Sequence, residues 1–237
     1  MLVALLIKLG LAPMHRWFPS VLADLDWGAA LLLLTWQKLA PLRLVYGLGA
    51  GEPALLWFSG LRGLVGAVGA LNQRHTLPLL AYSSIGHIGW VLGLFYCGAS
   101  TACVYVALYL RIVIPLVIRF RLAQVSRPKL MSALVRLGPL CGLTAALLLR
   151  LAGLPPFSGF MAKALAISAL IPVNSLLALV LVGCSALRVG FYLHLTRLLL
   201  VAPSRAGRRL QVSPTVARIL ALVRLPGLAA LPLYRVF

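Results

Sequence analysis

Carboxylates are nearly missing from this chain. Its 237 residues include three Asp+Glu (Asp24, Asp26 and Glu52) against 22 Lys+Arg. Charged residues of either sign amount to 11%, far too few to cover a water-soluble globule of this length. Cysteine is scarce as well. Cys97, Cys103, Cys141 and Cys184 lie in or beside apolar stretches and form no C-x-x-C pair, so they read as small buried hydrophobes. His15, His75, His87 and His194 are scattered and offer no metal-ligand spacing. The chain carries no quinone, flavin or iron–sulfur ligand set. No basic helix with interleaved aromatics accompanies the formal charge of +19, which argues against nucleic acid as a partner. The start lacks a basic n-region and a cleavage site, and Lys8 stands where the apolar core of a signal peptide belongs. No cleavable targeting peptide is therefore expected.

Apolar residues are what the chain has in abundance: 62% of positions, with a mean hydropathy of +1.03. A membrane span needs roughly 20 apolar residues to cross the hydrocarbon core. Such stretches follow one another with little left over, so the fold class is an all-α polytopic membrane protein forming one membrane domain, residues 1–237. Expected spans cover about residues 1–18, 28–47, 54–71, 77–97, 101–118, 137–171, 176–200 and 215–233, or about eight crossings. The stretch 137–171 is too long for one crossing. It is interrupted by Gly153-Leu-Pro-Pro-Phe-Ser-Gly159, in which Pro155 and Pro156 remove backbone donors. Broken backbone at membrane depth is tolerated only where protein or a wet cavity satisfies it.

The loop charges support this count. On the odd-numbered links lie Arg16; then Arg74; then Arg119, Arg121, Arg127, Lys129 and Arg136; then Arg205, Arg208 and Arg209. The even-numbered links hold no Lys or Arg, and their only charge is Glu52. Such alternation is what the positive-inside rule predicts, with the basic face toward the cytoplasm-like side and both termini opposite.

Several cations fall inside the spans. A charge at a span centre costs about 2.5–3.5 kcal/mol on insertion scales, and intramembrane ionisable residues are functional candidates by default. Lys8 precedes Pro13 in the first span, Lys38 is mid-span before Pro41, and Lys163 lies just past the Pro-Pro break. Desolvation disfavours a lysine's charged form and a nearby carboxylate favours it, so a buried lysine can load and unload a proton. Three lysines at the depth of helix breaks read as a proton relay. The alternative is snorkelling to the interface, with most weight at Lys8. Arg62, Arg111, Arg150 and Arg188 stay charged and cannot relay protons. They read as structural, paired with acidic groups on neighbouring chains. His87, in Ala81-Tyr-Ser-Ser-Ile-Gly-His-Ile-Gly-Trp90, suits either proton passage or hydrogen-bonded packing.

Five stretches, taken in order, carry a resemblance. They are Lys8-Leu-Gly-Leu-Ala-Pro-Met-His-Arg-Trp-Phe-Pro19, Leu33-Leu-Thr-Trp-Gln-Lys-Leu-Ala-Pro41, Gly69-Ala-Leu-Asn-Gln73, Leu80-Ala-Tyr-Ser-Ser-Ile-Gly-His-Ile-Gly-Trp90 and Leu151-Ala-Gly-Leu-Pro-Pro-Phe-Ser-Gly-Phe-Met-Ala-Lys163. Together they resemble the subunit 2 family among the antiporter-like membrane subunits of respiratory NADH:ubiquinone oxidoreductase, complex I. The resemblance covers roughly residues 1–200. It implies a fourteen-helix design with two inverted five-helix repeats, each holding a broken helix. Residues 1–47 would then be the last two helices of the first repeat, 54–200 the second repeat, and 215–233 a C-terminal helix. The implied proton path uses Lys8, Lys38, Lys163 and His87. The implied breaks fall at Pro13 and at Gly153, Pro155, Pro156 and Gly159.

The resemblance further implies proton translocation as part of an NADH dehydrogenase in the mitochondrial inner membrane, with the basic loops on the matrix side. FMN, iron–sulfur clusters and ubiquinone would serve the complex elsewhere, with no cofactor in this chain. Implied partners are the other membrane-arm subunits and anionic lipids such as cardiolipin. A lysine channel without an intramembrane carboxylate is electrostatically incomplete. The family's paired glutamate lies outside the matched helices, so a separate chain carrying the missing helices and that glutamate is expected. A cation/proton antiporter subunit, or an independent secondary transporter of the same fold, is the competing reading. A truncated structural relic is a third.

Overall fold

A computed structural model describes residues 2–10, 14–49, 52–73, 75–122, 141–155 and 157–201. Its helices, in chain order, are α1 (Leu2–Lys8), α2 (Trp17–Asp24), α3 (Trp27–Leu34), α4 (Trp36–Gly49), α5 (Pro53–Leu71), α6 (Thr76–Cys97), α7 (Ala99–Leu122), α8 (Cys141–Ala152), α9 (Ser158–Leu170) and α10 (Ser175–Val201). Among the described residues, four helices are long and apolar enough to cross a membrane: α5, α6, α7 and the 175–197 part of α10, with mean hydropathies of 1.3 to 2.1. Together with the interrupted α8–α9 pair they make this a multi-pass membrane protein.

Three of the expected spans are broken, and for 137–171 the interruption falls where its double proline predicts. The first helix stops at Lys8, because Gly10 takes a left-handed φ of +84° and its N–H folds back to the Ile7 carbonyl. Asp24 then closes α2 instead of lying in a link. The expected span 28–47 divides at Thr35, whose hydroxyl donates to the Leu31 carbonyl at 2.6 Å and competes with the backbone ladder. The expected span 137–171 is α8 and α9, separated by residues 153–157. The expected helix 215–233 lies outside the described residues, as do Pro13, Arg74, Arg127, Lys129, Arg136, Pro156, Arg205, Arg208 and Arg209.

Helix α6 is the axis of the fold. Of its most apolar stretch 94% is buried, against 39–44% for the other three long helices. It packs against α5 through small residues. The backbones meet where Gly66 faces Gly86, and Ser59 Oγ donates to the Gly89 carbonyl at 2.7 Å. Such stripes drive helix association where lipid provides no hydrophobic incentive.

The buried apolar side chains fall into two clusters stacked along the helices. One gathers Leu34, Ala70, Ile85, Tyr109, Leu151 and Tyr192 with their neighbours. The other gathers Leu42, Leu55, Ile88, Tyr105, Ala162 and Leu181 with theirs.

Candidate functional site: a polar layer between two apolar clusters

The seam between the clusters is polar. On α6 the first cluster ends at Ile85 and the second begins at Ile88, and His87 lies between them. The same interval falls at Lys38 between Leu34 and Leu42, at Ser59 and Arg62 between Leu55 and Ala70, and at Ser185 and Arg188 between Leu181 and Tyr192. Lys163 joins the layer from α9, next to Ala162. All seven polar side chains are buried. Asp24, Asp26 and Glu52, the only acidic residues in the sequence, are all exposed. The layer therefore holds cations with no carboxylate from this chain.

The α8–α9 break builds one side of the layer. Pro155 and Pro156 stand four residues after Leu151 and Ala152, where a helix would need N–H donors for those carbonyls. Proline supplies none, so both carbonyls lack a helical partner. The Ala152 carbonyl accepts from Lys163 Nζ, and the Leu151 carbonyl interacts with His87. Lys163 Nζ also donates to Ser185 Oγ on α10 at 2.5 Å.

Glycine makes this approach feasible. Gly153 ends α8 with a left-handed φ of +78°, and a Cβ there would lie 2.6 Å from Lys163 Nζ. The turn is closed by Leu154 N–H bonding the Leu149 carbonyl at 3.3 Å. Gly159 packs against the Arg150 carbonyl, leaving no room for a side chain.

The end of α1 is satisfied in a parallel way. Arg62 Nη2 donates to the Leu6 carbonyl at 3.3 Å, and Trp17 Nε1 to the Ile7 carbonyl at 3.1 Å. At both interrupted helices a buried cation from another helix thus caps orphan carbonyls.

Lys38 occupies a different environment. Its ammonium sits 4.6 Å from the centre of the Phe18 ring, a cation–π contact, and Nζ has no hydrogen-bond partner among the described residues. It lines a cavity of about 20 Å³ together with Thr35, His87 and Tyr109. That is room for about one water. His87 thus borders Lys38 on one side and the α8–α9 break on the other. Its Nδ1 hydrogen-bonds with the Tyr105 hydroxyl at 2.9 Å, and its ring centre lies 4.9 Å from that of Tyr109.

The four candidates singled out in the sequence are therefore not all together. Lys38, His87 and Lys163 are buried and share the layer, whereas Lys8, in the last turn of α1, is exposed. Arg62 and Arg188, read as structural, also belong to the layer. Ser185, Tyr105 and Ser59 were not visible as partners. For Ser185 a signal existed: it precedes Arg188 by three positions on one helix, which places both on one face.

The Tyr105–His87 contact gives a direct expectation. Tyr105→Phe removes one buried hydrogen bond and should cost about 1 kcal/mol. Thermal unfolding of the purified assembly would register this as a lower midpoint with unchanged helix content. An unchanged midpoint would deny the bond any stabilising role.

A family described as "NADH:quinone oxidoreductase/Mrp antiporter, TM" matches residues 1–188. The NADH-ubiquinone oxidoreductase chain 2 of Lumbricus terrestris is 34% identical over 199 residues, covering 82% of this chain and 59% of that one. The chain of the same name from Myxine glutinosa is 38% identical over 213 residues, covering 86% of this chain and 60% of that one. This chain thus spans about three fifths of the length of those relatives. A chain of respiratory complex I from Thermus thermophilus superposes with a TM-score of 0.79 at 28% identity, over 97% of this chain and 55% of that one. A chain of an archaeal membrane-bound sulfane sulfur reductase shares the fold, with a TM-score of 0.82 at 17% identity, over 97% of this chain and 51% of that one. The chain belongs to the NADH:quinone oxidoreductase/Mrp antiporter family of membrane proteins.

Proposed function

We propose that this chain works as a proton-translocating membrane-arm subunit of respiratory NADH:ubiquinone oxidoreductase, in the mitochondrial inner membrane, with its basic loops on the matrix side. One observation carries the reading. Lys38, His87 and Lys163 lie in one buried layer, with a water-sized cavity on one side of His87 and carbonyls freed by the Pro-Pro break on the other. Lysine and histidine can each gain and lose a proton. Electron transfer through FMN, iron–sulfur clusters and ubiquinone occurs in other subunits and drives the movement.

The layer needs a counter-charge. Its buried cations find no buried carboxylate in this chain. We assign that carboxylate to a neighbouring membrane-arm chain, which also covers the exposed Lys8 and brings it into the path. Anionic lipids such as cardiolipin meet the basic loops.

Lys38→Met tests the reading. Methionine keeps the apolar stem and, because Nζ has no hydrogen-bond partner among the described residues, orphans no acceptor there. In the purified complex, thermal stability should hold or rise while proton translocation in proteoliposomes falls at least about tenfold. Wild-type pumping by this variant would remove Lys38 from the path. Failure of the chain to co-purify with NADH dehydrogenase activity would remove the whole reading.

A further inference from the structure

Arg188 leaves most of its hydrogen-bonding capacity unused among the described residues. It is 2% exposed. Its Nε donates to the Cys184 carbonyl one turn back at 3.4 Å, while Nη1 and Nη2 have no partner among the described residues. The guanidinium packs against Gly86, where a Cβ would come 2.6 Å from Nη1 and 3.0 Å from Cζ. It is within electrostatic reach of both His87 and Lys163. One turn away, Ser185 holds the Lys163 ammonium. Helix α10 thus places a guanidinium within reach of both titratable groups.

We propose that Arg188 makes the passage between Lys163 and His87 selective for protons by excluding metal cations. The inference rests on the proton-path reading above and names what that path rejects. A proton needs no coordination shell, because it travels on a side chain that is neutral when it accepts. Sodium or potassium needs several oxygen ligands, preferably anionic. Here the Ser185 hydroxyl and the Ala152 carbonyl are already taken by Lys163. A fixed guanidinium beside them raises the barrier for any arriving metal ion, as charged rings and arginines do in other pores.

The test uses the whole complex in proteoliposomes. Radioactive sodium uptake is driven by an imposed membrane potential, so the readout does not depend on NADH turnover. Wild type and Arg188→Lys should take up no more sodium than protein-free vesicles. Arg188→Gln should raise uptake at least about tenfold, since a unit charge a few ångströms from the path is removed. Gly86→Ala provides a second route. The three atoms nearest to the added methyl all belong to the end of the Arg188 side chain, so the guanidinium is what it displaces first. Uptake should rise in the same direction, by about threefold.

Sodium uptake by wild type, or wild-type exclusion in either Arg188→Gln or Gly86→Ala, would overturn the proposal. If Arg188→Gln does not assemble, Gly86→Ala decides alone. NADH-driven acidification of wild-type vesicles, measured separately, tests the proton-path reading itself. Its failure would show there and not in the sodium arm.

Discussion

Lys163→Ala is expected to reduce proton translocation at least about tenfold, and in contrast to Lys38→Met it should also destabilise the assembly. The difference follows from the partners. Lys38 Nζ makes no hydrogen bond among the described residues, but Lys163 Nζ holds both the Ala152 carbonyl and Ser185 Oγ. Removing it leaves those acceptors buried without donors, at a cost of about 1–3 kcal/mol for each orphaned group. Lys163→Arg separates structure from function. Arginine keeps the charge and the donors, so it should restore much of the stability. It does not release its proton at ordinary pH, so pumping should stay low. Parallel measurement of unfolding midpoint and vesicle acidification on the three proteins checks both halves. An arginine variant that pumps like wild type would sink the relay role of Lys163, leaving it as a helix cap only.

The largest effect on folding is expected at Gly66. A Cβ at this position would sit 2.6 Å from the Gly86 nitrogen and 2.7 Å from its Cα, so the obstacle is backbone. Gly89 meets the same kind of contact, with the Ser59 carbonyl 2.9 Å from its would-be Cβ. The two helices cannot yield by turning a side chain; they must separate. Gly66→Val should therefore cost more than about 3 kcal/mol and leave little assembled complex in the membrane. Gly183→Ala is the matched control. Nothing lies within 4 Å of its would-be Cβ, so helix propensity alone should make it neutral or favourable by up to about 1 kcal/mol. Quantifying the chain in assembled complex on native gels compares the two. Normal assembly of Gly66→Val would mean that α5 and α6 do not meet there.

Much of the architecture was legible because the membrane constrains sequence strongly. Long apolar runs marked α5, α6, α7 and α10 to within a few residues. The double proline marked the α8–α9 interruption, since its effect on the backbone is covalent and local. Less visible were the ends of α1 and the division at Thr35. Both depend on competition among hydrogen bonds: at Gly10 a left-handed residue redirects its own N–H, and at Thr35 a hydroxyl takes a backbone acceptor. Apolar periodicity does not record such contests.

The candidate site was legible in part for the same reason. Lys38, Lys163 and His87 stand out because ionisable residues are rare in spans. Their convergence is a long-range matter, fixed by where Leu151 and Ala152 lose their helical partners and by which face of α10 turns inward. Arg62 and Arg188 look alike in sequence, as single arginines in apolar runs. The structure gives them different work: Arg62 caps the end of α1, and Arg188 bonds only its own helix, at Cys184, among the described residues and packs against Gly86.

The near-complete burial of α6 also bears on biosynthesis. Of the four long helices it has the lowest mean hydropathy, 1.3, and it carries His87 and two serines at its middle. A segment like this gains least from entering lipid by itself, and once the protein is folded it scarcely touches lipid. During translation it emerges after α5 and before α7, the two helices that will enclose it. An insertion machinery that released each segment sideways as it appeared would strand α6 in the bilayer with its polar middle bare. Its release is best delayed until α5 is beside it, so that Gly66 and Ser59 are already in place to receive it. Ribosome-bound intermediates arrested after α6 should then show it cross-linking to α5 and the insertase in preference to lipid.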